Sequence, residues 1–345
     1  MPAIPLPFVV SLFLAVLLAR LILEGERQLR PAIWFFAACI LASTVTALRW
    51  SFDLEVARLI QPITGSLLPV IAWLCFSHLK QPPSRLWFVL LGAAALFGVV
   101  LIAIPWPGDL MLAALYLGVG AALIHMAKGS PDDFGAARLA DVRKAQGSVL
   151  LAGITLIGSG LCDILIGMDF RLYSGSHVIG IIAVADSLFL PLIAYAVVAA
   201  GDSIALDEPG PRDEEAPHSD PVPRARDEVI FAAFDAVMRE RKLYCDPDLT
   251  LNRLARRLGR PAREISGAVN RLKGRNVSQL VNEYRITEAQ ILLSGTEMSV
   301  TEVMLASGFR TKSNFNREFL RITGANPSAW RRAPQNGATD GVIAT

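Results

Sequence analysis

Cysteine and histidine are scarce, with four of each in 345 residues. Cys39, Cys75, Cys162 and Cys245 stand far apart and form no CxxC pair. That spacing speaks against a disulfide framework or a zinc site, and the cysteines read as small buried hydrophobes. His78, His125, His177 and His218 are equally scattered, and none belongs to an HExxH pair. GxSxG and a glycine loop for phosphates are also missing, so neither a nucleophile elbow nor a nucleotide cradle is expected. No cofactor, no metal and no enzymatic activity are expected. The N-terminus has no basic segment before its apolar run, the first arginine being Arg20. A cleaved signal peptide is therefore not expected, and the run is long enough to stay as a span.

Charge is thin in the first 200 residues and concentrated after them, although the whole chain is 53% apolar with a net charge of +2. Seven apolar runs occur near residues 6–24, 33–50, 59–79, 86–105, 109–127, 146–167 and 178–200. Each approaches the roughly 20 residues that a bilayer-crossing helix needs. The first, third and fifth connectors carry Arg27, Arg30, Lys80, Arg85, Lys128, Arg138, Arg143 and Lys144. The other connectors, with their edges, carry Arg49, Arg58 and Arg171. Short loops rich in Lys and Arg stay in the cytoplasm. The N-terminus is then periplasmic and everything after the seventh span is cytoplasmic, in a multi-pass protein of the inner membrane.

Ionisable residues inside a bilayer are costly, and each is a functional candidate. Asp163 and Asp186 fall in the outer halves of spans six and seven. Asp169, Arg171 and His177 are expected in the connector between those spans, with Trp50 and Asp53 at the same level. Asp163, Asp186, His177 and Arg171 are candidate sensing residues around a pocket for a small molecule, protons or another membrane signal. The plainer reading is packing, with a carboxylate hydrogen-bonded to a neighbouring helix. Gly153, Gly158 and Gly160 allow close helix packing or a homodimer contact, and both readings stand. Pro191 is a candidate kink in span seven.

Residues 201–225 hold five prolines and seven acids, the composition of an extended, solvated linker. From 226 helical periodicity returns in amphipathic form, and a first helix is expected over 226–241 with Val229, Ile230, Ala233, Phe234, Val237 and Met238 inward. Thr250 caps a short helix whose inner face is Leu251, Leu254, Ala255 and Leu258, and Gly259 ends it. Pro261 opens a second helix burying Ile265, Ala268, Val269 and Leu272. The pair makes a helix-turn-helix over 250–273. The same grammar recurs over 299–322. There Ser299 and Glu302 stand at capping-box spacing, Val300, Val303, Met304 and Ala306 supply apolar contacts, and Gly308 makes the turn. Phe315, Phe319 and Ile322 form the buried stripe of the last helix, which leaves Lys312, Ser313, Asn316 and Arg317 on its other face. A helix over 277–294 separates the two units. Residues 250–333 carry 15 Lys and Arg against 6 Asp and Glu, a surplus of nine positive charges suited to a phosphate backbone.

The second unit, with Ala306, Gly308, Phe309, Phe315, Phe319, Gly324, Pro327 and Trp330, resembles the AraC/XylS family of bacterial transcription regulators. The stretch "NEYRITEAQILL" is similar to that family's connecting helix. The resemblance covers about 245–333 and implies a seven-helix cytoplasmic domain with two DNA-reading motifs. It places Arg263, Ser266 and Gly267 on the first reading helix and Lys312, Ser313, Asn316 and Arg317 on the second. Gly267 departs from the long polar or basic side chain common there. The N-terminal half resembles the seven-span region of a membrane-anchored subgroup. The expectation is an all-α protein with a transmembrane sensor over 1–200, a linker over 201–225, a DNA-binding domain over 226–333 and a disordered tail over 334–345. Double-stranded promoter DNA, RNA polymerase, the lipid bilayer and a second copy of the chain are the expected partners of such a regulator, read here as an activator. A transporter or membrane enzyme with a regulatory DNA-binding tail is the alternative. No inverted-repeat signature supports it, and a retinal-type photoreceptor is disfavoured because span seven has no lysine.

Overall fold

The computed structural model describes residues 6–24, 30–80, 86–103, 108–204 and 223–332. Residues 205–222 of the expected linker over 201–225, and the whole expected tail over 334–345, fall outside them, while the last three linker residues open a helix that starts at Pro223. Among the described residues every regular element is helical, and the β-pairing is one isolated bridge. The chain divides into two units, residues 1–136 with 143–206, and residues 137–142 with 207–345.

The first unit contains α1 (Leu6–Glu24), α2 (Arg30–Phe52), α3 (Glu55–Ser77), α4 (Leu86–Ala103), α5 (Gly108–Ala127), α6 (Val142–Tyr173) and α7 (Val178–Gly201). Most of these helices are apolar around their circumference, the pattern of a helix that is either buried in protein or spans a membrane. Five of them are long and apolar enough to cross a membrane: Ala32–Phe52, Glu55–Ser77, Leu110–Ala127, Val142–Tyr173 and Val178–Gly201. Pro7–Leu23 and Phe88–Ala103 are apolar but shorter, so on length five of the seven expected spans qualify among the described residues. α3 is the hub, packing on α2, α4, α5 and α7. It carries Pro62 and Pro69 within the helix, and α7 carries Pro191.

Close approach of α5 and α6 depends on paired glycines. A β-carbon on Gly153 would sit 2.8 Å from the Gly120 carbonyl oxygen, and one on Gly120 would sit 2.8 Å from that of Gly153. Gly160 faces Ala113 and Tyr116 of α5, and Gly158 faces the Phe189 ring of α7. Gly153, Gly158 and Gly160 are thus used in packing within the chain, whereas a β-carbon on Gly147 or Gly167 would meet nothing within 4 Å.

Helix ends differ from the apolar windows. α6 begins at Val142 and runs to Tyr173, so Asp169 and Arg171 lie in its last turns and not in a connector as expected. The apolar window marks only the hydrophobic part of the helix. The backbone ladder continues through polar residues until a left-handed pair, Ser174 and Gly175, breaks it.

The second unit contains seven helices among the described residues: α8 (Pro223–Arg241), α9 (Leu251–Leu258), α10 (Ala262–Lys273), α11 (Val277–Gly295), α12 (Val300–Ala306), α13 (Lys312–Thr323) and α14 (Pro327–Arg332). Their ends follow local chemistry. The Thr250 hydroxyl accepts the Arg253 N–H, and Gly259 closes α9 in the left-handed region at φ +61°. Asn276 and Gln279 cap α11 reciprocally, as Ser299 and Glu302 cap α12.

Two cores result. The first gathers Ile230, Phe234, Met238, Leu254, Ile265, Val269 and Val281, and the second gathers Ile286, Leu293, Val303, Phe309, Phe315 and Phe319. Each fully buried side chain of this size contributes roughly 1.5–3 kcal/mol. α11 supplies both cores and so joins the two helix-turn-helix units. Three inward assignments are corrected, because Val229, Ala233 and Ala306 are exposed. α8 is rotated so that Asp227, Ile230, Phe234 and Met238 form its inner line, and at the end of α12 the buried place goes to its C-cap residue Ser307.

Candidate nucleic-acid interface

The helix expected to be the second reading helix, α13, is fixed from both ends and from beneath. The Thr311 hydroxyl accepts the Asn314 N–H, and Gly324 ends the helix at φ +74°. Phe315 packs edge-on against Phe309 and Phe319, and Phe319 against Trp330, with ring centroids 5.3, 5.6 and 6.0 Å apart. Each such aromatic pair adds about 0.5–1.5 kcal/mol beyond area burial. With Phe315 and Phe319 inward, Lys312, Ser313, Asn316 and Arg317 are exposed, as their spacing predicts.

Arg317 is oriented rather than loose. Its Nη2 donates to Asn314 Oδ1 at 2.6 Å and its Nε to Glu318 Oε1 at 3.2 Å. Asn314 and Glu318 are buried. A guanidinium held at its base presents a defined donor pattern, the property needed to address a base edge or phosphate bidentately. Asn314 was absent from the sequence candidates because it falls between the reading positions, and only its burial gives it a role.

The helix expected to be the first reading helix, α10, presents a sparser face. Arg263 is exposed, while Ser266 is half-buried and its hydroxyl donates to the Arg263 carbonyl at 3.3 Å. Gly267 has no side chain, and the Arg271 guanidinium lies over it: a β-carbon there would be 3.0 Å from Arg271 Nη1. Arg271 is held in place by Asp227 of α8, donating from Nε at 2.6 Å and from Nη2 at 2.7 Å. That hydrogen-bonded guanidinium keeps the Asp227 carboxyl below the usual carboxylate range. A cation one helical turn along thus covers the gap that the sequence shows at Gly267. No spacing rule points to it, because it depends on the buried acid of another helix.

Glu302 bonds the Ser299 backbone N–H at 2.7 Å, and its carboxyl is held below the ordinary range by that bond. Arg285 of α11 is completely buried. It donates from Nε to the Tyr244 carbonyl at 2.7 Å and from Nη2 to the Asp246 carbonyl at 2.8 Å, and it lies 5.6 Å from the Phe309 ring centre. Burial pushes the guanidinium down to about 10, so it remains a cation at neutral pH.

In the first unit, Asp163 and Asp186 both lie within electrostatic reach of the Tyr116 hydroxyl, which donates to the Gly65 carbonyl at 3.0 Å. Among the described residues Asp186 Oδ2 and Trp50 Nε1 are buried with no hydrogen-bond partner. His177 pairs with Asp169 at 2.8 Å, and Arg171 is exposed two residues farther along α6. Of the four sensing candidates, Asp163 and Asp186 thus share the neighbourhood of Tyr116, while His177 pairs with Asp169 and Arg171 is exposed near the end of α6. No group of three or more metal-ligating side chains occurs among the described residues.

Residues 254–333 match a family model described as a helix-turn-helix domain. The melibiose operon regulatory protein of Escherichia coli K12 is 30% identical over 90 residues, which are 26% of this chain and 30% of that protein. The HTH-type transcriptional activator RhaR of Salmonella heidelberg is 36% identical over 58 residues, 17% of this chain and 21% of that protein. The chain thus spans less than a third of the length of these relatives. A solved structure, the C-terminal domain of AraT, a response regulator from Geobacillus stearothermophilus, covers 35% of this chain and 93% of its own, at 23% identity and a TM-score of 0.27. A score that low adds no weight to the sequence match.

Proposed function

We propose a function for a chain that carries, at residues 254–333, a helix-turn-helix domain of the AraC/XylS type: it is a membrane-anchored transcription regulator. It binds promoter DNA with α10 and α13 and responds to a signal received by its apolar helices. The observation that carries this reading is the exposed face of α13, where Lys312, Ser313, Asn316 and Arg317 stand over a fully buried aromatic base. Support comes from the second helix-turn-helix on the same α11, a helix of 19 residues and so about 28 Å long. That length is close to the roughly 34 Å repeat of B-DNA, so α10 and α13 would enter successive major grooves. The surplus of nine positive charges over 250–333 supplies phosphate contacts.

The reading of the membrane region rests on five helices of sufficient length and on the Lys and Arg bias of the connectors. It puts the N-terminus in the periplasm and the DNA-binding domain in the cytoplasm, within reach of RNA polymerase. Asp163 and Asp186 are the proposed receiving residues, with His177 and Arg171 at the outer edge. Self-association of the chain would raise the local concentration of reading helices at a repeated site.

The test is retention of genomic DNA by the full chain in lipid nanodiscs. Specific fragments retained at low salt and released steeply as salt rises support the reading. No retention at low salt overturns it. A reporter fused after residue 200 tests the topology, and activity in the periplasm would reverse it.

A further inference from the structure

The segment 137–142 lies in sequence between α5 and α6 but is packed into the second unit. Its contacts are specific. Arg138 pairs with Thr250 as an isolated antiparallel bridge, and the Leu139 N–H donates to the Leu249 carbonyl at 3.0 Å. The Leu139 side chain is 2% exposed and belongs to the first core with Leu249, Leu251 and Val277. Its carbonyl accepts the Ser278 hydroxyl at 2.5 Å. Arg138, 3% exposed, donates to Asp248 at 2.5 Å. The next residue crosses to the other helix-turn-helix: the Ala140 carbonyl accepts from Asn314 Nδ2 of α13 at 2.6 Å. Asn314 in turn accepts from Arg317. Asp141 adds a favourable charge to the buried Arg285.

Three consecutive residues therefore bind both helix-turn-helix units through backbone groups, an ion pair buried on its arginine side only, and a core side chain. Lys312, Ser313, Asn316 and Arg317 remain exposed with the segment in place. It does not cover the reading face. It holds the residue that orients Arg317, and it bridges α9 and α11 to α13. The segment runs directly into α6, whose first residue is Val142. The docked segment is thus covalently continuous with an apolar helix at a point separate from the linker before α8.

We propose that residues 137–142 are a strap, docked on a surface made by Leu249, Thr250, Ser278 and Asn314, that braces the two helix-turn-helix units for simultaneous binding. The proposal rests on the DNA-reading function proposed above. A docked strap fixes the geometry of α13 relative to α10, so both half-sites are engaged without reordering. A withdrawn strap leaves each unit able to bind alone but lowers their coupling. Such coupling free energies change affinity by about 5–150-fold.

The experiment uses the full chain in nanodiscs and two DNA probes, a retained genomic fragment with both half-sites and the same fragment with the half-site of α13 scrambled. Leu139→Asp is expected to weaken the intact fragment by about tenfold and the single half-site by less than about twofold. Equal affinity of variant and parent for the intact fragment overturns the strap, and so does tighter binding, which would make the segment a plug. Leu139→Asp can also unfold the domain, so amide exchange on the unaltered chain decides independently. The Leu139 N–H, bonded to Leu249, is expected to exchange more slowly when the intact fragment is bound. Unchanged or faster exchange overturns the proposal. Failure of the DNA-reading function shows separately, as retention of no fragment by the unaltered chain, and it takes the brace with it.

Discussion

Gly308 is pressed against the Tyr244 carbonyl oxygen: a β-carbon on Gly308 would lie 2.4 Å from that atom. Its φ of +89° adds a second requirement for glycine. The turn of the second helix-turn-helix is thereby seated on the short 3-10 helix at Leu243–Cys245, which precedes the first. Gly308→Ala is expected to cost about 2–4 kcal/mol, from left-handed strain together with a backbone clash that no rotamer relieves. Gly259→Ala is the control. Its φ is +61° but nothing lies within 4 Å, so only the strain remains, about 1 kcal/mol. Amide exchange of α11 to α13 in the full chain measures both, and equal costs would mean that the contact with Tyr244 is not tight.

Arg285 ties the same two regions from beneath. Replacing it with Leu leaves the Tyr244 and Asp246 carbonyls without their donor in a buried place. The expected cost is about 3–5 kcal/mol, the range for breaking a buried charged contact by removing one partner. Arg285→Lys is expected to recover less than half of this, because one ammonium cannot reproduce the planar fork that reaches both carbonyls. Exchange protection of the Phe309 and Phe315 amides reports the loss, and full recovery by lysine would assign Arg285 a charge role only.

Much of this domain was readable from sequence because its signals are local. Thr250, Gly259, Ser299 with Glu302, and Gly308 act on the backbone within a few residues, and each is found where its type predicts. The Phe315–Phe319 stripe is likewise a matter of helical period. Arg271 over Gly267 was not readable, since it requires α8 to bring Asp227 alongside α10. The docking of 137–142 was still less so, because a short polar stretch between two apolar runs has the composition of an ordinary connector. The phase of α8 was misjudged at Val229 and Ala233 for a similar reason. Its buried line includes Asp227, an acid that a hydrophobic pattern assigns to the surface.

The Asp227–Arg271 pair gives a pH dependence with a definite sign. The Asp227 carboxyl is held below its unfolded range by Arg271. Its contribution is therefore complete above the unfolded value near 4 and is lost as pH falls through the depressed folded value. Arg271 is 56% exposed at its side chain, so the pair is partly screened and is expected to contribute about 1 kcal/mol. Asp227→Asn should flatten the acid limb of stability below about pH 4.5 and leave the neutral region lower by that amount. An unchanged acid limb would show that another carboxylate governs it.

Asp186 tests whether a buried polar group among the apolar helices receives the proposed signal. One of its carboxylate oxygens is buried without a hydrogen-bond partner among the described residues, and Asp163 shares its neighbourhood at Tyr116. Asp186→Asn preserves shape and removes ionisation. Transcription from a bound promoter, followed across growth conditions, is expected to lose its variation in this variant, while DNA retention in nanodiscs stays within about twofold of the parent. A response that survives in both Asp186→Asn and Asp163→Asn would assign the carboxylates to packing.

The two kinds of contact expected from α13 can be separated by salt. Lys312 stands in the first turn of the helix as a compact charge on a flexible stem, suited to a phosphate. Lys312→Ala is expected to weaken all DNA sequences alike and to reduce the slope of log affinity against log salt by about one. Asn316 lies one turn farther along the same exposed face and carries an amide that can pair bidentately with adenine. Asn316→Ala is expected to weaken the preferred sequence by about 1–3 kcal/mol, leave scrambled DNA unaffected and leave the salt slope unchanged. Arg317 combines both properties, because Asn314 and Glu318 fix its guanidinium. Arg317→Ala should therefore lower both the slope and the discrimination, and Arg317→Lys should restore the slope alone. If all three variants retain DNA as the parent does at every salt concentration, α13 is not the reading helix.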